Sequence, residues 1–182
     1  YELLADRFDV LPSGAENAPK KSIKKGLYLK ISNIDSREFE DVKKILAAGH
    51  DLGNHSENHK HMERLSSADC ERELMIPHEK VESLTGYNMC LFRPPDGGYN
   101  DTLLNAAEKC GYYTIQWSVD SLDWKDYGTD SIVRTVLHHK NLKNGAIILM
   151  HNGAKYTKSA LDAVITGLKE MGYEIVPISE LI

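Results

Sequence analysis

The chain has 182 residues, of which 41% are hydrophobic and 27% are charged, and its formal net charge is -5 at pH 7. This composition is typical of a folded domain that buries its own core, and we predict a single domain over residues 1–182. The acidic balance argues against a nucleic-acid partner, and no apolar run reaches the roughly 18 residues of a membrane span.

Strand-like and helix-like segments alternate along the chain. In the first half, the predicted elements are a helix at 19–25, a strand at 27–31, a helix at 36–48, a strand at 50–52, a helix at 66–84 and a strand at 90–92. In the second half, they are a helix at 101–110, a strand at 112–119, a helix at 129–137, a strand at 146–150, a helix around 161–168 and a strand at 173–176. Pro77 lies inside the long helix and is expected to kink or interrupt it.

This alternation favours an α/β fold with a mainly parallel sheet. Periodicity alone does not choose between an open sheet and a barrel. Four polar residues lie at or just past the ends of predicted strands, namely Arg93, Asp120, Asp123 and His151. In a (β/α) barrel those strand ends form one rim, which is where active sites lie.

Two histidines, His55 and His59, lie four residues apart in the segment Asn-His-Ser-Glu-Asn-His. On a helical turn this spacing would present both rings to one side, which suits a divalent metal. Such a pair is a weak signal by itself, and an unliganded surface pair is the commoner outcome. His61 adds a third imidazole or is simply solvated.

A proline-rich loop follows the predicted strand at 90–92, with the sequence Arg93-Pro-Pro-Asp-Gly-Gly. The two prolines restrict the backbone, and the glycines let backbone N–H groups approach a ligand closely. A rigid loop of this kind beside an arginine suits an oxyanion hole with an orienting cation. A plain connecting loop explains the prolines and glycines equally well, but it leaves Arg93 at the end of an apolar strand without a partner.

His151 directly follows five apolar residues, where an imidazole is unfavourable unless a polar group pairs with it. A carboxylate can fix its tautomer and favour its protonated form, which makes a general acid. Asp123 is a suitable carboxylate. Taken singly, His151 is better interpreted as a structural residue, and a core residue is one interpretation of Trp124.

The four motifs occur in a fixed order, with HSxxH at 55–59, RPPxG at 93–97, DxxDW at 120–124 and LxH at 149–151. Together they resemble the polysaccharide deacetylase family, which is the fourth carbohydrate esterase family and is also called the NodB-homology domain. The resemblance spans roughly residues 45–182, and ordered sets of motifs are far more specific than single ones. It implies a distorted (β/α) barrel, and the sequence is closest in character to members from spore-forming Gram-positive bacteria.

In that family HSxxH supplies two metal ligands, which implies that His55 and His59 bind a divalent metal. Imidazole ligands favour zinc, with cobalt and nickel as alternatives. The resemblance also implies that Arg93 orients the catalytic base. The backbone N–H of Asp96 would help to hold the oxyanion.

The other two motifs imply roles for four more residues. Asp123 would tune the catalytic histidine, and His151 would be that histidine, acting as the general acid. Trp124 and Leu149 would line the pocket for the acetyl methyl group.

The first motif of the family, Thr-Phe-Asp-Asp-Gly, is altered or incomplete in this chain. Its nearest match is Arg-Phe-Asp-Val-Leu at residues 7–11. In that register Asp9 is the catalytic base, and Val10 replaces the aspartate that completes the metal site. Asp6 and Asp35 are alternative candidates.

The resemblance implies a metal-dependent hydrolase that removes N-acetyl groups from peptidoglycan or from another N-acetylglucosamine polymer. One alternative is a catalytically impaired relative that only binds glycan, because the altered motif has lost the metal. Another is a sugar O-acetyl esterase, because the same groups can cleave esters. Such glycans lie outside the cell membrane, so an extracellular or cell-envelope location is expected.

Overall fold

The computed structural model describes the backbone of residues 21–25, 27–29 and 36–181, and the side chains of residues 40–180. The elements before residue 117 are β1 (Lys21–Lys25), β2 (Leu27–Leu29), α1 (Ser36–Ala47), β3 (Leu52–Asn54), α2 (Ser67–Thr85), β4 (Leu91–Phe92), α3 (Asp101–Lys109) and β5 (Tyr113–Thr114). The later elements are β6 (Val119–Asp120), α4 (Thr129–Leu137), β7 (Ile148–Leu149), α5 (Thr157–Glu170) and β8 (Tyr173–Pro177). They fall into two compact units, one within residues 26–116 and one that combines β1 with residues 117–181.

The first unit is built on a parallel four-stranded sheet in the order β2-β3-β4-β5. Its core contains Leu52 and Phe92 from the strands, Leu74 from α2 and Leu103 from α3, all of which are fully buried. Each strand is short, so most of its stabilisation comes from these apolar side chains rather than from the ladder itself. The polar residues that follow β3 and β4 are therefore held on a rigid base.

The second unit contains two parallel strand pairs, β1 with β8 and β6 with β7. The helices α4 and α5 pack against each other through an apolar cluster that includes Ile132, Val136, Val164 and Leu168. Val119 of β6 is fully buried in the same cluster, which fixes the start of the loop that follows this strand. Among the described residues, no helix is both long and apolar enough to cross a bilayer.

One predicted element differs from the structure in kind and one in the number of strands, while the strand predicted at 50–52 lies at Leu52–Asn54. The lysine-rich segment predicted as a helix at 19–25 is the strand β1 where it is described, because it pairs residue by residue with β8. The single strand predicted at 112–119 is two strands, because the extended chain changes partner: the Ile115 N–H donates to the Phe92 carbonyl at 2.7 Å, whereas the Ser118 N–H donates to the Ile147 carbonyl at 3.0 Å. Strand propensity predicts extended backbone but not which neighbour it pairs with.

Of the two outcomes predicted at Pro77, a kink or an interruption, the interruption is wrong, because α2 continues from Ser67 to Thr85 with the proline inside it. Pro77 is buried, and a helix can retain a buried proline when another donor satisfies the carbonyl that the proline leaves without its usual partner. Glu57 supplies that donor, since its N–H donates to the Glu73 carbonyl at 3.0 Å.

Helix α3 begins at a side-chain cap that also ties it to the short turn before α2. The Asn100 Oδ1 accepts the Leu103 N–H at 3.0 Å, and its Nδ2 donates to the Glu63 carbonyl at 2.8 Å. We expect Asn100→Ala to lower the free energy of unfolding by about 1–2 kcal/mol, as measured by urea denaturation, because both hydrogen bonds are lost. The matched control is Thr102→Ala on the same exposed turn, for which a change within about 0.5 kcal/mol is expected. Equal effects of the two substitutions would contradict the capping role.

Candidate functional site

The histidine pair lies just after β3 in the first unit. The ring centroids of His55 and His59 are 4.9 Å apart, and the rings meet edge to face at 84°. The helical turn predicted for this segment is wrong, since Ser56 and His59 have left-handed backbone angles with φ of 67° and 54°. The segment is a bent loop, and the bend rather than a helical repeat brings the two rings together.

Buried hydrogen bonds hold the loop in this bend. The Asn54 side chain accepts the Ser56 N–H at 2.9 Å and donates to the Leu74 carbonyl at 2.8 Å and to the Tyr112 hydroxyl at 2.9 Å. The Ser56 hydroxyl in turn accepts the His59 N–H at 2.9 Å. Because Asn54 and Ser56 are fully buried, these bonds are shielded from water and fix the loop firmly.

The hydrogen bonds of His55 assign its tautomer. Its Nδ1 lies 2.6 Å from the backbone carbonyl of Arg93, and a carbonyl can only accept, so Nδ1 carries the proton. The unprotonated Nε2 atom therefore carries the lone pair that a metal ligand would use. The Arg93 guanidinium approaches this atom, with Nη2 at 3.4 Å from His55 Nε2.

The donor set in the first unit fits part of a metal site. His55 and His59 present two imidazoles side by side, which is suitable chemistry for a divalent transition metal. Within the part of the chain that the structure describes, no group of three or more His, Cys, Asp or Glu side chains could hold a metal ion. The predicted base Asp9, its neighbour Val10 and the alternatives Asp6 and Asp35 all lie outside the described residues.

The proline-rich loop, residues 93–98, leaves β4 at the same edge of the sheet as the loop that follows β3. That second loop, residues 55–60, is called the histidine loop. The Arg93 N–H donates to the Asn54 carbonyl at 3.0 Å, which continues the β3–β4 ladder. Asp96 has a left-handed backbone with φ of 54°, so the chain turns sharply after the two prolines. A Cβ atom at Gly98 would lie 2.7 Å from Glu63 Oε2, so a larger residue there would displace the Glu63 carboxylate. The loop has one well-defined shape, as an oxyanion donor requires.

His61 does not join the other two imidazoles. Its side chain is 57% exposed, and its Nδ1 lies 3.7 Å from Glu63 Oε1 and 3.6 Å from Asp96 Oδ2. The solvated alternative for this residue therefore describes it better than the third-ligand alternative.

In the second unit a fully buried carboxylate contacts His151. Asp123 Oδ1 lies 2.8 Å from the His151 Nδ1, and Oδ2 accepts the His151 N–H and the Thr157 hydroxyl, each at 2.6 Å. Burial acts to raise the pKa of Asp123, but the hydrogen bonds from His151 and Thr157 outweigh it and hold the pKa below its ordinary value. The carboxylate is thus ionised at neutral pH, and an ionised carboxylate can only accept, which places the proton of the neutral ring on Nδ1. The imidazole is 40% exposed, so its Nε2 can exchange protons with a bound molecule.

The turn that carries Asp123 has an unusual backbone. Leu122 and Asp126, which flank the turn, are both left-handed, with φ of 56° and 55°. The Asp120 carboxylate compensates by accepting the Leu122 N–H at 2.9 Å. Trp124 projects from this turn with 55% of its surface exposed, so the interpretation of Trp124 as a core residue is wrong.

Leu149, predicted to line the same pocket as Trp124, is a buried residue of β7, two positions before His151. The structure thus places the predicted residues in two groups, one in each unit. His55, His59, Arg93 and Asp96 form the group in the first unit. Asp123, Trp124, Leu149 and His151 form the group in the second.

Sequence reasoning missed three residues that hold these groups in place. Asn54 and Glu73 fix the histidine loop, and Thr157 completes the shell of donors around Asp123. Pro77 is a usable signal for Glu73, because a proline inside a helix leaves the carbonyl four residues earlier without its helical donor. Thr157 gives no comparable signal, since a threonine at the start of a helix is ordinary.

Comparison with known proteins identifies relatives over most of the chain. The family model for "Polysaccharide deacetylase" matches residues 19–115. A peptidoglycan-N-acetylglucosamine deacetylase from Bacillus cereus is 37% identical over 146 residues, covering 78% of this chain and 67% of that protein. The peptidoglycan-N-acetylglucosamine deacetylase PgdA of Listeria monocytogenes is 38% identical over 140 residues, covering 77% of this chain and 29% of that protein.

A solved structure with the same fold is that of a CE4 family pseudoenzyme from Bacillus anthracis. It is 33% identical, with a TM-score of 0.78, and the match covers 87% of this chain and 55% of that chain. A mutant of that protein, described as having restored enzymatic activity, has the same TM-score of 0.78. The chain thus spans about half the length of this structural relative and less than a third of the Listeria enzyme.

Proposed function

Because the chain belongs to the polysaccharide deacetylase family, we propose that it hydrolyses the N-acetyl groups of a peptidoglycan-type glycan. The observation that best supports catalysis is the fully buried Asp123 carboxylate, which lies 2.8 Å from the His151 Nδ1. Glycan binding alone does not require a half-exposed imidazole oriented by a buried carboxylate, so this pair weighs in favour of catalysis. Peptidoglycan is favoured because the Bacillus cereus and Listeria relatives carry that substrate in their names, and it would place the protein at the cell envelope or outside the cell.

The predicted fold class is confirmed. The described strands pair in parallel and most are followed by a helix, and the similarity to solved CE4 structures identifies the distorted (β/α) barrel of this family. The family is metal-dependent in general, and the two groups of residues would make different contributions to hydrolysis.

The residues of the second unit would supply the proton for the leaving amine. His151 in its protonated form donates from Nε2, while the Asp123 carboxylate keeps Nδ1–H in place and stabilises the imidazolium charge. The Thr157 hydroxyl holds the second carboxylate oxygen, so the carboxylate cannot rotate away from the ring. Trp124 and Leu149 would confine the acetyl methyl group, as the family resemblance implies.

The residues of the first unit would hold a cation and the developing oxyanion. His55 and His59 would bind a divalent metal, and their imidazoles favour zinc over magnesium, with cobalt and nickel as alternatives. Such a metal, when bound, polarises a carbonyl and lowers the pKa of a coordinated water. The N–H of Asp96 would donate to the oxyanion, and Asp9 would accept the proton of the attacking water.

A second candidate function is that of a catalytically impaired relative that binds glycan. Two points favour it. In the register that matches residues 7–11 to the first motif of the family, Val10 replaces the metal-binding aspartate. The Arg93 guanidinium also lies 3.4 Å from the Nε2 that His55 would offer to a metal. Two imidazoles bind a metal more weakly than three protein ligands, because they replace less of its hydration shell. The similarity to a protein described as a pseudoenzyme is consistent with this alternative.

Metal analysis combined with an acetate-release assay tests these functions. We expect the purified chain to bind zinc and to release acetate from peptidoglycan or chitin oligomers, and we expect a chelator to abolish the release. Release from acetylxylan alone would identify an O-acetyl esterase instead. Absence of both metal and acetate release, together with retained binding to peptidoglycan, would identify the impaired relative.

A further inference from the structure

Glu73, near the middle of α2, accepts three hydrogen bonds from the histidine loop. Its Oε2 accepts the Asn58 N–H at 2.8 Å, and its Oε1 accepts the Asn58 amide and the Lys60 ammonium, each at 2.8 Å. The side chain is only 6% exposed. Burial acts to raise the pKa of Glu73, but the bonds from Lys60 and Asn58 outweigh it and lower the pKa, so the group is ionised at neutral pH. All three donors lie within one residue of His59.

The backbone of Glu73 holds the same loop by a separate route. In an uninterrupted helix its carbonyl would accept an N–H from position 77, but Pro77 has none. The Glu57 N–H occupies that acceptor at 3.0 Å. The proline therefore creates a free carbonyl on the surface of α2, and the loop binds to it.

These contacts hold a backbone conformation that the loop would not adopt by itself. Ser56 and His59 are both left-handed, with φ of 67° and 54°, and L residues with a Cβ atom disfavour this region. Glu57 and Asn58, the residues between them, are the ones fixed to Glu73. Released from these bonds, His59 would relax towards an extended or right-handed backbone, and its ring would move away from His55.

We propose that Glu73 is the positioning residue of the histidine pair: its carboxylate and its proline-exposed carbonyl keep the His59 imidazole edge to face with His55, and so preform half of a cation site. The proposal rests on the proposed function only for the use of this pair. The positioning itself depends on the contacts between α2 and the loop. Both can therefore be tested separately.

The main test compares Glu73→Gln with Glu71→Gln by NMR. Glu71 is a matched control, because it lies on the same helix and forms an ion pair with Lys109 at 2.9 Å without contacting the loop. The glutamine at 73 turns an NH₂ group towards donors. We therefore expect loss of the ring-to-ring NOE between His55 and His59 and faster amide exchange at Asn58, with neither change in the control. We also expect zinc affinity, measured by competition with a chelator, to fall by about 10–100-fold in Glu73→Gln only.

A second variant, Pro77→Ala, tests the carbonyl contact without altering the carboxylate. It restores a helical N–H that competes for the Glu73 carbonyl, so the Glu57 amide should exchange faster while the Asn58 amide stays protected. Retention of the NOE and of both amide protections in Glu73→Gln would overturn the proposal, even if the variant lost stability. A wild-type chain that releases no acetate but shows the NOE would reject the proposed function and leave the positioning role standing.

Discussion

Replacement of His151 with alanine is expected to lower the rate of acetate release by about 10²–10⁴-fold, because proton donation to the leaving amine is lost. The substitution should leave the fold intact. Asp123 keeps two of its three donors, the backbone N–H of residue 151 and the Thr157 hydroxyl, so no buried charge is left without a partner. The assay is acetate release from chitin oligomers at saturating substrate, with folding checked by circular dichroism.

The matched control for this substitution is His138→Ala. His138 is an exposed histidine at the end of α4 in the same unit, and its removal changes charge and composition in the same way. Acetate release should be unchanged in the control. A rate for His151→Ala that equals the control rate would reject the general-acid role, whatever the metal content of the protein.

The parts of the fold that sequence predicts well are those where local pattern and burial agree. Helices α4 and α5 were expected from apolar residues at helical spacing, and Ile132, Val136, Val164 and Leu168 are the buried face that packs them together. Asp123 and His151 were singled out because a polar residue beside an apolar strand requires a partner, and each is the partner of the other.

The parts that sequence predicts poorly depend on contacts between distant segments. The spacing of the two histidines suits a helical turn, but Ser56 and His59 are left-handed. Hydrogen bonds from the Asn54 and Ser56 side chains and from α2 hold the loop in this conformation. Pro77 predicts a kink or an interruption of α2, yet the helix continues and the Glu73 carbonyl, which loses its helical donor, accepts the Glu57 N–H. Neither outcome follows from propensities, since both depend on which segments meet in the fold.

Replacement of Asp123 with asparagine is expected to lower acetate release by about 10²–10⁴-fold, comparable to the loss of the acid itself. If the asparagine oxygen accepts the His151 N–H and the Thr157 hydroxyl, its NH₂ group faces the His151 Nδ1. The ring must then accept at Nδ1, and the imidazolium form loses its partner. In the opposite orientation the NH₂ group faces two donors. There the amide oxygen still accepts the His151 Nδ1–H, but it lacks the negative charge that stabilises the imidazolium, so less of the protonated acid is present in either orientation.

The same substitution should destabilise the fold by about 1–3 kcal/mol at pH 7, because a buried donor is left without an acceptor. Since the pKa of Asp123 is lowered in the folded state, its contribution to stability is present above the unfolded value near pH 4 and is lost as pH falls through the folded value. The difference in unfolding free energy between wild type and Asp123→Asn should therefore shrink below about pH 4. Asp126→Asn, an exposed change in the same turn, is the control and should give no such difference. If the difference in unfolding free energy between wild type and Asp123→Asn stays constant down to the acid transition, the ionised Asp123 does not stabilise the fold.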